Sequence, residues 1–138
     1  MLDEMITREL VKRALDARAN AYAPYSGYKV GAAVLAVSGT IYTGCNVENA
    51  SFGATLCAER VACAAAVTAG ESLITAVAVA TLSDEPAAPC GICRQFLAEF
   101  GPDIEIILVN TRGKLIQTNL TALLPRQFKL KGRANARK

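Results

Sequence analysis

Three cysteines and one glutamate in two short segments constrain this chain more than any other feature. The first segment reads Cys57-Ala58-Glu59, and the second reads Pro89-Cys90-Gly91-Ile92-Cys93. Three thiolates can hold a tetrahedral Zn²⁺ and leave its fourth position to water. A carboxylate that does not bind the metal can move protons beside that water. We therefore predict a catalytic zinc centre with Cys57, Cys90 and Cys93 as ligands and Glu59 as the proton carrier.

Composition excludes several other kinds of site. The chain has 138 residues, over half of them apolar and none of them histidine, which suggests one domain with a substantial core. Without histidine there is no Ser-His-Asp triad, no Cys-His protease and no histidine-ligated metal. An odd number of cysteines, five, with no export signal argues against a disulfide framework. We expect a soluble cytoplasmic protein with no membrane association.

The positive charge is concentrated near the C-terminus. Of the fifteen Lys and Arg residues, six fall in 126–138 together with no acidic residue, which leaves nine basic against twelve acidic side chains before it. A nucleic-acid-binding protein more often carries its positive charge on the folded body, so we expect no nucleic-acid partner. We divide the chain into a folded domain, 1–128, and a flexible basic tail, 129–138.

Hydrophobic periodicity predicts helices and strands that alternate along the chain. We predict helices at 4–21, 57–69, 90–100 and 120–124, and strands at 28–37, 40–46, 75–81, 105–110 and 115–117. The apolar strand 75–81 should be buried on both faces, and the alanines of the helix 57–69 should allow close approach of another helix. This order predicts an α/β domain with helices on both faces of a sheet.

Both cysteine segments fall at predicted helix N-termini. Free N–H groups and the helix dipole favour a thiolate there. Three thiolates on zinc leave a net negative charge, which would weaken the metal as a Lewis acid. Arg60 and Arg94, in the same first turns, are candidates to offset this charge by hydrogen bonding to sulfur. The competing interpretation is that both are ordinary exposed arginines.

The second cysteine segment, taken alone, also fits a redox pair or half of a structural zinc site. A structural zinc needs a fourth ligand, and only Cys45 and Cys63 are spare. Cys63 lies about 1.7 helical turns past Cys57, and Cys45 is in a strand, so both are predicted to be small core residues. A redox pair would leave Cys57 and Glu59 without a role.

Further segments resemble the small, homotetrameric cytidine deaminases, and the cysteine–glutamate pattern is itself a known signature of zinc nucleobase deaminases. The resemblance spans about 22–128, with the motifs in the family order. They are Pro24-Tyr25-Ser26, Val30-Gly31-Ala32-Ala33, Gly44-Cys45-Asn46-Val47-Glu48-Asn49-Ala50, Cys57-Ala58-Glu59-Arg60, Pro89-Cys90-Gly91-Ile92-Cys93-Arg94-Gln95 and Leu123-Leu124-Pro125-Arg126-Gln127-Phe128. The Asn-Val-Glu-Asn segment is typical of the branch that acts on free nucleosides.

The resemblance implies a three-layer α/β/α fold around a five-stranded mixed sheet, with one Zn²⁺ per subunit. It implies that Asn46 and Glu48 hydrogen-bond the ribose hydroxyls and that the backbone N–H of Ala58 meets the pyrimidine O2. Phe128 would pack on the base from a neighbouring subunit of a homotetramer. Without the resemblance, the sequence would indicate only an exposed acidic residue at a strand end for Glu48 and a hydrophobic residue at a helix end for Phe128.

Three further positions complete the expected site. Tyr28 stands where the family usually carries Phe against the sugar and base, and its hydroxyl needs a partner if buried. Gln95, next to the second zinc segment, is grouped with the two arginines as a residue that supports the ligands. Phe52 occupies a usually aromatic position at which family members form subunit contacts.

The implied reaction is hydrolytic deamination of cytidine and 2′-deoxycytidine to uridine and 2′-deoxyuridine, a step of pyrimidine salvage. Glu59 would deliver a proton to N3 and then to the leaving amine. Three alternatives stay open: deamination of another base or of a nucleoside antibiotic, nucleic-acid editing that uses the basic tail, and a non-enzymatic structural zinc or interaction module.

Overall fold

The computed structural model describes residues 2–130. Its helices are α1 (Glu4–Arg18), α2 (Ala58–Thr68), α3 (Gly91–Ala98) and α4 (Leu120–Leu123), and a short 3₁₀ helix covers Phe52–Ala54. Its strands are β1 (Gly31–Ala36), β2 (Ile41–Cys45), β3 (Ile74–Thr81), β4 (Glu105–Asn110) and β5 (Leu115–Asn119). Most of the predicted basic tail, 131–138, lies outside the described residues. Within 2–130, every helix is too short or too polar to cross a membrane.

The strands form one five-stranded mixed sheet in the order β2-β1-β3-β4-β5. The pair β3 and β4 is parallel, and the other neighbours are antiparallel. Apolar side chains of α1 pack on one face of the sheet, and those of α2 and α3 pack on the other. The predicted three-layer α/β/α fold with a five-stranded mixed sheet is therefore confirmed.

The central strand β3 separates the two halves of the core. Its Val77 and Val79 pack on the α2 side, whereas Ala76, Ala78 and Ala80 pack on the α1 side. All five are nearly or fully buried, because side chains alternate between the two faces of a strand and helices cover both faces. The predicted burial of this strand on both faces is confirmed.

Helix α2 lies directly on the backbone of β2. A Cβ atom added to Gly44 would come within 2.4 Å of the backbone nitrogen of Ala62 and 2.7 Å of the carbonyl oxygen of Ala58, so only glycine fits. Both alanines are fully buried, whereas Ala64 and Ala65 are exposed. Ala58 and Ala62 thus allow close approach to the sheet. The predicted approach of another helix to the alanines of α2 stays a prediction.

Four predicted ends are wrong by two or more residues, and one of them is the end of β5, which lies at Asn119 instead of residue 117. Helix α1 ends at Arg18 and α3 at Ala98, in each case earlier than the apolar pattern indicated. Strand β1 begins at Gly31 instead of residue 28. In 28–30, just before Gly31, the N–H of Val30 and the carbonyl oxygen of Tyr28 bond to the Asn46 side chain, and among residues 2–130 only the carbonyl oxygen of Val30 bonds to backbone, at the N–H of Asn46.

Candidate active site

The three predicted ligands meet between the starts of two helices. Cys57 and Cys90 are the extended residues that immediately precede α2 and α3, and Cys93 lies in the first turn of α3. Their sulfur atoms all lie within 4.8 Å of one another, and Cys57 Sγ is 3.8 Å from Cys90 Sγ. A tetrahedral zinc with bonds of about 2.3 Å separates its sulfur ligands by about 3.8 Å. The thiols therefore fit zinc.

No fourth protein ligand joins this group within residues 2–130. Cys63 is fully buried in α2, where burial raises the pKa of its thiol to about 11. Cys45 lies at the end of β2. A closed structural zinc site needs four protein ligands, whereas three leave one position open, as in catalytic sites.

The thiols differ in acidity before any metal binds. A hydrogen bond from the Cys93 thiol and one from the Arg60 guanidinium lower the pKa of Cys57 to about 5, against the opposing effect of burial. The hydrogen bond to Cys57 and burial together raise the pKa of Cys93. These shifts favour the thiolate at Cys57, the form that a metal requires.

Arg60 bridges the loop before α2 and the metal site. Its Nη2 donates to Cys57 Sγ at 3.7 Å and to the carbonyl oxygen of Thr55 at 3.2 Å. Its Nε is buried and has no hydrogen-bond partner among residues 2–130, so the side chain is held at this position by its terminal group. The guanidinium therefore places positive charge beside the sulfur.

Arg94 and Gln95 connect α3 to the C-terminal segment. Arg94 donates from Nε to the carbonyl oxygen of Pro89 and from Nη1 to that of Leu123, both at 2.7 Å. These bonds go to backbone carbonyls and differ from the predicted contact with sulfur, because the side chain leaves α3 towards α4. Gln95 Nε2 donates to the carbonyl oxygen of Phe128 at 3.0 Å.

Glu59 lies in the first turn of α2 and is only 4% exposed. Burial raises the pKa of its carboxyl group to about 7, and the negative charge of Cys57 adds to this, against hydrogen bonding to its own backbone N–H and the charge of Arg60. A carboxyl group that titrates near neutral pH can both accept and donate a proton.

One cavity of about 300 Å³ joins the metal site to the predicted substrate residues. Cys57, Cys90 and Glu59 line it. Four of the five residues assigned to substrate binding also line it: Tyr28, Asn46, Glu48 and Ala58. The fifth, Phe128, does not line the cavity of its own chain, and its side chain is 69% exposed. The roles of these residues towards a substrate stay predictions.

Asn46 is buried and holds the backbone that enters β1. Its Oδ1 accepts from the N–H of Val30, and its Nδ2 donates to the carbonyl oxygen of Tyr28, both at 2.8 Å. An amide nitrogen carries two hydrogens, so one N–H is left for a bound molecule. Ala58 begins α2, and N–H groups of a first turn have no partner within the helix.

Glu48 is held as a carboxylate at the edge of the cavity. Its Oε1 accepts from the N–H groups of Tyr25 and Ser26 at 2.9 and 3.1 Å, and its Oε2 accepts from the Ser26 hydroxyl. The Ser26 hydroxyl is the main reason why the pKa of Glu48 lies below its ordinary value. Ser26 was not among the predicted site residues, although it belongs to one of the motifs that carry the resemblance.

Tyr28 lies on the cavity wall with 42% of its surface exposed. Its backbone N–H donates to Ser26 Oγ at 3.0 Å. The same hydroxyl therefore orients Glu48 and the chain at Tyr28.

Comparison with known proteins decides the family. Residues 5–109 match the model of the cytidine and deoxycytidylate deaminase zinc-binding region. The chain belongs to this deaminase family. The predictions of a zinc-dependent deaminase and of zinc as its cofactor are thereby confirmed.

Relatives within the family match most of the chain. Cytidine deaminase of Sporosarcina psychrophila is 43% identical over 125 residues, which cover 90% of this chain and 92% of that protein. The crystal structure of cytidine deaminase from Burkholderia pseudomallei superposes with a TM-score of 0.85 at 45% identity, covering 88% of this chain and 98% of that one. Blasticidin-S deaminase of Bacillus cereus is 33% identical over 109 residues, 73% of this chain and 77% of that protein.

Proposed function

We propose that this chain hydrolyses cytidine and 2′-deoxycytidine to uridine and 2′-deoxyuridine, with release of ammonia, as a step of pyrimidine salvage. One observation carries the proposal: the three-thiol site, Glu59, Asn46 and Glu48 border the same cavity of about 300 Å³. Similar proteins named cytidine deaminase support the choice of substrate.

Bound at Cys57, Cys90 and Cys93, zinc would supply an activated water for attack on C4 of the pyrimidine. The protein's own part in the chemistry is proton transfer by Glu59. Its carboxylate would take a proton from the attacking water and deliver it to N3. It would then take the proton of the hydroxyl group added to C4 and pass it to the amine, which leaves as ammonia. A pKa of about 7 suits both directions of transfer.

The sugar would be recognised by complementary hydrogen bonding. An ionised Glu48 can only accept hydrogen bonds, so its partner must be a donor such as a ribose hydroxyl. The free N–H of Asn46 would donate to a hydroxyl oxygen. The N–H of Ala58 would donate to O2 of the base, which orients C4 towards the metal site.

We also propose a homotetramer in which Phe128 packs on the base bound by a neighbouring subunit. Its exposed ring, which does not line the cavity of its own chain, supports this arrangement. Phe52 is 77% exposed and contacts Tyr25 edge-on, with ring centroids 6.1 Å apart, as an interface aromatic could. Five free cysteines suit the reducing cytoplasm, where we propose that the protein acts.

The test is the ultraviolet absorbance change of purified protein with cytidine and with 2′-deoxycytidine, repeated after removal of zinc by a chelator. We expect conversion to the uridine products that chelation abolishes and added zinc restores. Protein with the substitution Glu59→Gln, purified in parallel, controls for contaminating host deaminase. Absence of conversion by folded, zinc-loaded protein would contradict the proposal.

Blasticidin-S deamination is a second candidate, because a relative with that name matches 73% of the chain. The same assay with blasticidin S shows whether the protein also deaminates that compound. Competition by cytosine shows whether the sugar contributes to recognition. If the ribose contacts matter, cytosine competes poorly with cytidine. Nucleic-acid editing predicts a need for the basic tail, whereas we expect protein that ends at Phe128 to keep its cytidine turnover.

A further inference from the structure

The second zinc segment is reached through a loop that begins where two parallel strands end together. Thr81 and Asn110 are register partners at the ends of β3 and β4, and Thr81 lines the cavity. Residues 82–89 then lead from β3 to Cys90. Ala87 and Ala88 of this loop line the cavity too. The loop therefore forms one wall of the site and carries one ligand at its end.

The side chain of Asn110 holds this loop. It is 2% exposed, and its Nδ2 donates to the carbonyl oxygens of Ser83 and Asp84 at 3.2 and 2.9 Å. Its Oδ1 accepts from the backbone N–H groups of Arg112 and Lys114 at 3.1 and 2.9 Å. Both hydrogens and both oxygen lone pairs of the amide therefore form hydrogen bonds. A buried polar group whose hydrogen bonds are all satisfied holds its partners rigidly.

The other polar links between this loop and the turn after β4 are weaker. Arg112 pairs with Asp84 at 3.5 Å and Lys114 with Glu85 at 2.6 Å, but all four side chains are more than half exposed. Exposed ion pairs of this kind add little stability. The buried amide of Asn110 is therefore the main polar link between the loop and the turn after β4.

We infer that Asn110 is a positioning residue for the active site. Its amide ties residues 83 and 84 to the turn that follows β4, and so keeps the loop wall and Cys90 at the distance that the metal site requires. It touches neither the metal ligands nor the cavity. The inference concerns the architecture of the site and is independent of which substrate the cavity accepts.

The test is the substitution Asn110→Asp. An aspartate keeps the oxygen that accepts from Arg112 and Lys114. It replaces the NH2 group, which donates both hydrogen bonds to the loop, with an oxygen that would face the two loop carbonyl oxygens. The matched control is Asn119→Asp, because Asn119 is exposed and its oxygen accepts from the N–H of Ala122 at 2.8 Å, which aspartate does equally well.

Two readouts that need no substrate are measured. Hydrogen exchange of metal-free protein should accelerate about tenfold or more in peptides that cover 82–90, with β1 and α1 unchanged. Zinc affinity, measured by competition with a chelator, should fall about tenfold, because loss of the buried hydrogen bonds of Asn110 leaves Cys90 less firmly placed. Asn119→Asp should stay within about twofold of the unaltered protein in both readouts.

Loop exchange and zinc affinity that both stay within about twofold of the unaltered protein would overturn the inference. So would acceleration spread equally over the whole chain, because that indicates general destabilisation instead of a local role. If Asn110→Asp does not fold, Asn110→Ser is measured in the same way, since its smaller side chain removes the bridge without adding charge. Failure of the unaltered protein to deaminate cytidine would refute the proposed function and leave this test intact.

Discussion

Ser26 contacts both oxygens of the Glu48 carboxylate. Its backbone N–H donates to Oε1 at 3.1 Å, and its hydroxyl donates to Oε2. This pairing stabilises the ionised form of Glu48, so the pKa of Glu48 lies below its ordinary value. The carboxylate is thereby fixed in both charge and direction at the edge of the cavity.

Ser26→Ala should raise the pKa of Glu48 towards the ordinary value, because the hydroxyl is the main cause of its depression. The lowered pKa contributes stability that is fully present above the ordinary pKa and is lost as pH falls through the lowered one. The variant should lack most of this contribution, so its stability should depend less on pH in that acidic range. We expect the KM for cytidine to rise about tenfold, with a smaller change in kcat. Side-chain NMR titration and steady-state kinetics measure these quantities.

Ser38→Ala is the matched control for this substitution. Ser38 also donates to a glutamate, Glu71, at 2.7 Å, but neither residue lines the cavity. Its KM should not change. An unchanged KM in Ser26→Ala would contradict the proposed recognition of the sugar by Glu48.

Glu59→Gln should lower cytidine turnover by about 10²- to 10⁴-fold or more, because the amide cannot carry the protons. Zinc content should be unchanged, because Glu59 is not among the three ligands. Turnover and bound zinc are measured on the same preparation, with the exposed Glu9→Gln as control. Normal turnover in Glu59→Gln would remove Glu59 from the mechanism.

Arg60→Gln should reduce zinc affinity about tenfold, because the charge beside Cys57 Sγ is lost while the side chain stays polar. The control is Arg13→Gln, which removes the same charge from a half-buried arginine of α1. Competition with a chelator measures both variants. Equal zinc affinities would mean that the thiolates do not depend on this guanidinium.

Phe128 can be tested by mixing two impaired variants. If its ring serves a neighbouring subunit, then Glu59→Gln subunits can supply Phe128 to Phe128→Ala subunits, and mixed oligomers should recover activity. Mixing Glu59→Gln with the double variant Glu59→Gln/Phe128→Ala is the control, because neither supplies Glu59. If the first mixture forms mixed oligomers without a gain, Phe128 does not act between subunits.

The sequence predicted well where the signal is local. The spacing of Cys90 and Cys93 brings two sulfurs to one side of a helix start, and metal chemistry then indicates what they hold. Strand β4 matched its predicted bounds at both ends, because its run of buried apolar residues is uninterrupted. The two-sided burial of β3 followed from the same kind of pattern.

Contacts between a side chain and a backbone segment distant in the sequence could not be predicted from local patterns. Asn46 bonds to Tyr28 and Val30, and Asn110 bonds to residues 26 and 27 positions earlier in the chain. Nothing in the spacing of residues around an asparagine at a strand end indicates which distant backbone groups it will contact. The same is true of Ser26, whose link to Glu48 spans 22 positions.

Gly44 lies in β2 and binds no metal, and its missing side chain is what lets α2 rest on the sheet. Ala58 and Glu59 both belong to the first turn of α2. A methyl group at Gly44 would have to displace the backbone of Ala58 or Ala62, and the proton carrier would move with it. In a mutational scan scored by deaminase activity, substitutions of Gly44 should therefore be as damaging as substitutions of the zinc ligands, although Gly44 takes no part in the chemistry.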